Sequence, residues 1–177
     1  MHINDITYSS DKGKITQKDL NESSKISEDY FGTQKDSNQI PTTRQTRDWI
    51  YKNAQDYLNI IRSDGEMVGY TFMLPCNRIL MDCFLSKKIN EAELFVEIKK
   101  MKLKDTPETI YLCAAVLKEE FRGKGLATTA FVKAINKIIQ NGKNKPILFY
   151  WKYSEEGGKL SQRVAKFTGL ELKIRAD

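Results

Sequence analysis

The chain has 177 residues, with 29 Lys and Arg against 23 Asp and Glu, a net charge of +6 and one histidine. That length suits one domain with a hydrophobic core large enough to need neither disulfides nor metals. An aromatic content of 10%, with only 4 prolines and 10 glycines, excludes collagen-like, disordered and disulfide-scaffold classes.

In chain order, residues 3–8 read as a short first strand, and the polar stretch to about Gln39 holds one irregular helix around 16–25. After Pro41, residues 43–53 are helical, and 57–62 form a strand running into Ser63-Asp64-Gly65. Asp-Gly between apolar runs signals a hairpin, because both turn positions take positive φ. The return strand covers 66–74 and is ended by Pro75. Residues 77–108 are mostly helical: Asn90 and Glu93 have capping-box spacing, and Leu94, Phe95, Ile98 and Met101 share one face. Residues 110–117 form a continuous apolar run, the pattern of a strand covered on both faces. A charged, glycine-bearing loop follows, then a helix from Leu126 that turns Ala130, Phe131, Ala134 and Ile135 inward and ends at Asn141-Gly142. A strand at 146–151, a helix at 159–167 and a strand at 170–174 complete the chain.

Residues 105–177 hold 13 basic and 8 acidic side chains, so +5 of the +6 is local to this part. Such an excess marks either a solvated basic face or a site for an anionic ligand. His2 stands beside the initiator Met, which disfavours His-based catalysis, Ser-His-Asp triads and multi-His zinc sites. Cys76, Cys83 and Cys113 are odd in number and lack Cys-x-x-Cys spacing, as expected of buried thiols in a reducing compartment. No window approaches 18 apolar residues, and no basic region followed by an apolar run opens the chain. The expectation is a cytoplasmic protein that does not engage membranes.

The segment with chemical content is the strand, loop and helix at 110–140. A loop of small residues opening a helix leaves backbone N–H groups unpaired at the positive end of the helix dipole, where they hold phosphate. Gly123 and Gly125 permit close approach, and Arg122 and Lys124 add charge. A Walker loop is excluded, because Lys124 precedes Gly125 and no glycine stands five residues before Lys124. The dinucleotide fingerprint is excluded as well, because Thr128 occupies its third glycine position.

Arg122-x-x-Gly125-x-Ala127, directly after a buried strand ending near Val116, resembles motif A of the Gcn5-related N-acetyltransferases. The likeness covers about residues 55–175, since the hairpin, helices and strands recur in the family's order. It implies a mixed, mostly antiparallel twisted α/β sheet with helices on both faces, interrupted here by the helical insertion at 77–108. It further implies that the N–H groups of Gly123, Lys124, Gly125, Leu126 and Ala127 hold the diphosphate of coenzyme A, with Arg122 and Lys124 nearby. Val116 and Leu117 would pair through their backbone with pantetheine and offer an N–H to the thioester oxygen. The implied activity is acetyl transfer from acetyl-CoA to a primary amine, on a small molecule, a protein N-terminus or a lysine, without a metal.

The last helix departs from the pattern. Many members carry a Tyr four residues before a terminal Gly-Phe, where this chain has Ala165 before Gly169-Leu170. Residues 161–166 resemble instead the Ser-x-Arg-Val-Ala-Glu helix of the branch that acetylates ribosomal-protein N-termini, although Gly158 replaces the usual Asn. Ser161 and Tyr153 are therefore the candidates for contacting the coenzyme sulfur and protonating the thiolate. No general base is assigned: Glu119, Glu120, Asp82 and the carboxylates of 91–97 read first as surface charges, while Tyr111 and Cys113 alternate on the strand and could line the cleft. A coenzyme-binding protein without turnover remains open, as does a basic nucleic-acid module, although no binding motif of that class appears. The insertion is expected to wall the acceptor groove, and the chain is expected to be a monomer or homodimer.

Overall fold

The computed structural model of the chain describes residues 5–32, 35–103, 106–140, 142 and 144–175. His2, Asn141 and the start of the expected first strand lie outside them. Among the described residues six strands form one sheet in sequence order: β1 (Ile6–Tyr8), β2 (Leu58–Ser63), β3 (Glu66–Cys76), β4 (Thr109–Leu117), β5 (Ile147–Trp151) and β6 (Leu172–Arg175). Neighbours from β1 to β4 are antiparallel, whereas β4 and β5, and then β5 and β6, are parallel. Between them run α1 (Ser9–Lys12), α2 (Gln17–Phe31), α3 (Arg44–Asn53), α4 (Arg78–Leu85), α5 (Glu91–Lys100), α6 (Leu126–Ile139) and α7 (Glu155–Thr168).

Strand alternation divides the helices into two layers. Ile60, Tyr70, Phe72, Leu74, Tyr111 and Phe149 point to one face and pack on Leu20 of α2, Ile50 of α3, Phe84 of α4 and Leu94, Phe95 and Ile98 of α5. Met73, Ile110, Leu112 and Leu148 point to the other, against Phe131, Ala134 and Ile135 of α6 and Val164 of α7. A smaller cluster joins Phe121, Leu126 and Ala130 to Ile61 and Val68, and seats the loop before α6 on the sheet. The β2–β3 turn is as expected, with Asp64 at φ 52° and Gly65 at φ 85°.

Several expectations are corrected. The helix expected at 16–25 is regular and extends to Phe31. Thr16 and Asp19 form its capping box, Gly32 ends it in the left-handed conformation, and Asp19 pairs with Arg62 of β2. Tertiary contacts thus hold a segment whose Ser, Asn and Asp content gives it little intrinsic helicity. Pro75 does not end β3: past Phe72 the strand has left β2 and keeps only β4 beside it, where a proline is tolerated. The last helix begins at Glu155, capped by Ser154, despite Gly157-Gly158. Of the cysteines only Cys76 is buried, its thiol pushed up to about 12 by desolvation, whereas Cys83 and Cys113 are half-buried and all three are free.

Candidate active site

The second half of β4 differs from the first. Thr109 to Tyr111 pair with Ile147 to Phe149 of β5, and there the parallel pairing stops. Against β3 the register shifts at the same level, with Phe72 opposite Ala114 and Met73 opposite Leu112, so Cys113 is the extra residue of a bulge. A bulge bends its strand and increases local twist, and here it accompanies the parting of β4 from β5. Residues 113–115 and Leu117 are accordingly half-exposed, not covered on both faces as the apolar run implied. Lys118 donates its N–H to the Val68 carbonyl at 2.9 Å, toward β3. By alternation, Leu117 and Ala115 turn their N–H and C=O groups into the gap, whereas those of Val116 face Tyr70 of β3. Ala115, and not Val116, therefore joins Leu117 on the open edge; Val116 contributes a buried side chain to the core.

Beyond the strand end, a 3-10 turn at Glu119–Phe121 carries buried Phe121 and delivers the chain to the loop. Gly123 and Gly125 adopt φ 74° and 77°, and Gly125 is the N-cap of α6 without any side-chain cap. The amides of Gly123, Lys124, Gly125, Leu126 and Ala127 make no hydrogen bond with the described protein, and space beyond a Cβ at either glycine is open. The two basic side chains do not cap them either. Arg122 donates from Nε to the Leu117 carbonyl at 3.0 Å and contacts the Tyr30 hydroxyl and ring from above. Lys124 lies over Phe121, 5.5 Å from its centroid. The result is a run of free donors at a helix start, beside a half-unpaired strand edge, a fit for a diphosphate joined to an extended amide chain.

A cavity of about 130 Å³ lies on the helical-insertion face of the same strand edge. Leu20, Ile50, Leu58 and Phe72 give it apolar walls, Ser24, Ser27 and Tyr70 add hydroxyls, and Cys113 and Ala114 of the bulge form the side toward the gap. Glu91, the first residue of α5, lines it as well and is buried. Its Oε1 accepts from the Tyr111 hydroxyl at 2.7 Å and from Cys113 Sγ at 3.6 Å, and its Oε2 accepts the Ile40 N–H at 3.2 Å. Burial raises the Glu91 pKa above the ordinary carboxylate range, against the opposing pull of these donors. The Tyr111 hydroxyl and Cys113 thiol are raised too, chiefly by burial and then by the Glu91 charge.

The structure separates the expected catalytic residues. Tyr153 stands at the cavity rim, 62% exposed, edge-on to Trp151 and Phe31. Ser161 is the seventh residue of α7 and is buried, but it does not line the cavity. Asp82, Glu119 and Glu120 are exposed, Glu93 caps Asn90, and Glu97 pairs with Lys100. Glu91 is the exception to the surface reading of 91–97. The signal for it is present in the sequence: Glu91 precedes Leu94, Phe95 and Ile98 by three, four and seven residues and so shares their apolar face.

Fold and site together define an α/β protein whose sheet opens between two parallel strands above an uncapped helix start. The sequence model of the acetyltransferase (GNAT) family matches residues 23–163, and the chain belongs to that family. The match begins inside α2, well before the position 55 implied by the motifs, and takes in the whole insertion. Among curated proteins, none matches the chain.

Proposed function

We propose that this is a cytoplasmic, single-domain N-acetyltransferase, monomeric or homodimeric, that transfers acetyl from acetyl-CoA to a primary amine by direct attack. The observation that carries the reading is the run of unpaired amides from Gly123 to Ala127 at the start of α6, next to the gap where β4 leaves β5. These amides hold the diphosphate, and Arg122 and Lys124 add positive charge at the loop. Leu117 and Ala115 pair with pantetheine as a neighbouring strand would, and an edge N–H polarises the thioester oxygen. Bound acetyl-CoA supplies an activated acyl carbon. The protein's part is to fix that carbon at the bulge, beside the cavity, and to exclude water from it. Among the described residues no group of His, Cys, Asp or Glu is arranged to hold a metal, and no helix is long and apolar enough to cross a membrane.

Coenzyme A should raise the melting temperature by mass action, in moderate salt that would release a nucleic acid. Lys124→Glu places a like charge beside the diphosphate without backbone strain, so it should cut coenzyme affinity about tenfold or more, a loss of about 1.4 kcal/mol per decade. An unchanged affinity would remove the diphosphate from this loop. The departure at Ala165 and the placement of Ser161 favour a second reading, a coenzyme-binding protein without turnover. Thiol release from acetyl-CoA over a panel of amines separates the two: coenzyme binding without release in the presence of any amine would select the second.

A further inference from the structure

Glu91 is a buried carboxylate that no arginine or lysine among the described residues neutralises. Burying a carboxylate without a cation is costly and raises its pKa, so a cation brought against Glu91 would stabilise its ionised form. Two interlocking contacts fix it in place: the Asn38 carbonyl accepts the Ala92 N–H at 3.0 Å, and the Ile40 N–H binds Glu91 Oε2. Oε1 is filled by Tyr111 and Cys113, whereas Oε2 takes one donor among the described residues, fewer than a carboxylate oxygen can accept. The cavity it lines shares Cys113 and Ala114 with the strand edge that parts from β5.

We propose that Glu91 receives the acceptor's ammonium group and takes its proton, and that the acceptor is a small primary amine with an apolar body about the size of benzene. This rests on the acetyltransferase reading above and deepens it. The volume of about 130 Å³ supports the size, since an apolar protein cavity of about 150 Å³ holds benzene. The walls support the character: Leu20, Ile50, Leu58 and Phe72 take an apolar body, while Glu91, the only carboxyl group among the described lining residues, takes the charge. In the step itself, an ammonium N–H proton passes to Glu91 Oε2. The neutral nitrogen then bonds to the thioester carbon and the C–S bond breaks. The nitrogen's surplus proton goes to the departing thiolate, so amide and thiol form and Glu91 returns its proton to water. Burial raises the pKa of this carboxyl, so once it takes a proton it holds it more firmly than an exposed carboxylate would. The charged and titratable groups around it are Tyr111 and Cys113 of β4 and Asp36 before Ile40, with Arg47 of α3, Tyr70 of β3 and rim Tyr153 on the cavity and Arg175 of β6 near Tyr111.

The test uses the full chain with isoamylamine, benzylamine and a hexapeptide carrying a free N-terminus and one lysine. Binding is read by calorimetry with and without coenzyme A, and turnover by thiol release from acetyl-CoA. The small amines should bind and be acetylated well ahead of the peptide. Glu91→Gln should weaken amine binding at least tenfold and lower kcat/KM at pH 7 about 100-fold, the lower range for a lost general base. That deficit should shrink as pH rises toward the amine's own pKa, where a base is no longer needed, and coenzyme A should still raise the variant's melting temperature. Amine binding and turnover within threefold of the parent in Glu91→Gln would overturn the proposal, as would acetylation of the peptide alone. If Glu91→Gln does not fold, Tyr111→Phe decides: loss of a donor to the carboxylate should move the acid limb of kcat/KM to higher pH, and an unmoved limb overturns the assignment. Coenzyme binding with no small amine bound sinks this proposal alone, whereas amine binding with no coenzyme bound sinks only the reading it rests on.

Discussion

The loop before α6 is made by the consecutive residues 118–127, whereas the cavity beside it takes its walls from α2, the segment 39–42, α3, β2, β3, β4, α5, the end of β5 and the stretch after it. The loop depends on local backbone conformation: two glycines at positive φ, one apolar anchor at Phe121, and amides left open by the absence of a capping side chain. The cavity depends on distant parts of the chain staying packed. Residues 40, 91, 111 and 113 meet around one carboxylate although they span more than seventy positions. A site built the first way can be carried by a short motif; one built the second way changes with any insertion that packs against it. The two halves should therefore respond to different mutations.

The largest separation is expected from Phe84→Ala. Phe84 is fully buried on α4, edge-on to Tyr111 at 5.0 Å and to Phe149 at 6.0 Å, with the Arg175 guanidinium over its ring at 4.4 Å. Removing it should cost about 3–5 kcal/mol, the range for a buried aromatic cut to alanine. Urea unfolding would show the loss, and calorimetry on the folded fraction should find coenzyme A affinity within about threefold of the parent. A large loss of coenzyme affinity would show that the insertion supports both halves.

The converse change is Gly125→Val. A β-branched residue at φ 77° is strained by about 1–3 kcal/mol, although no neighbour lies within 4 Å of the added Cβ. Stability should fall by that amount, and the coenzyme-dependent rise in melting temperature should vanish while amine binding at the cavity persists. Loss of both ligands at once would break the comparison.

The different origins of the two halves also explain what could be read from the chain alone. Arg122-x-x-Gly125-x-Ala127, the Asp64-Gly65 hairpin and the order of elements were legible because each is a local pattern. The cavity was not, since nothing in residues 17–31 announces a wall facing Tyr70, and the bulge at Cys113 is created by pairing with β3. Glu91 falls between these cases. Its helical position was readable from Leu94, Phe95 and Ile98, but a carboxylate at a helix start is equally explained by the dipole, and only tertiary packing shows that it is buried. Ser161 is the reverse case: a motif-like helix singles it out, and the earlier start at Glu155 puts it in the middle of α7, buried but not lining the cavity.

Glu91→Gln should have a smaller effect on stability, and one that changes with pH. Because burial raises the carboxyl pKa in the folded state, its contribution is greatest below the unfolded value and is lost as pH rises through the folded one. Each unit of elevation corresponds to about 1.4 kcal/mol. The stability of the parent relative to the glutamine variant should thus decline from acid to neutral pH, in urea titrations at several pH values. A difference independent of pH would mean that Glu91 is as well solvated when ionised in the folded chain as in the unfolded one.

The smallest change examines the contact that joins the halves. Tyr30 of α2, the helix whose inner residues line the cavity, holds Arg122 of the loop through its hydroxyl and ring. Tyr30→Phe keeps the ring and removes only the hydroxyl. Because the pair is exposed, stability should change by less than about 0.5 kcal/mol. If loop and cavity are energetically separate, coenzyme affinity should shift by less than threefold, and an amine should alter it by the same factor in variant and parent. A tenfold loss of coupling between the two ligands would mean that Tyr30 links them: α2 would then report acceptor binding to the loop through Arg122, which also holds the Leu117 carbonyl at the open edge.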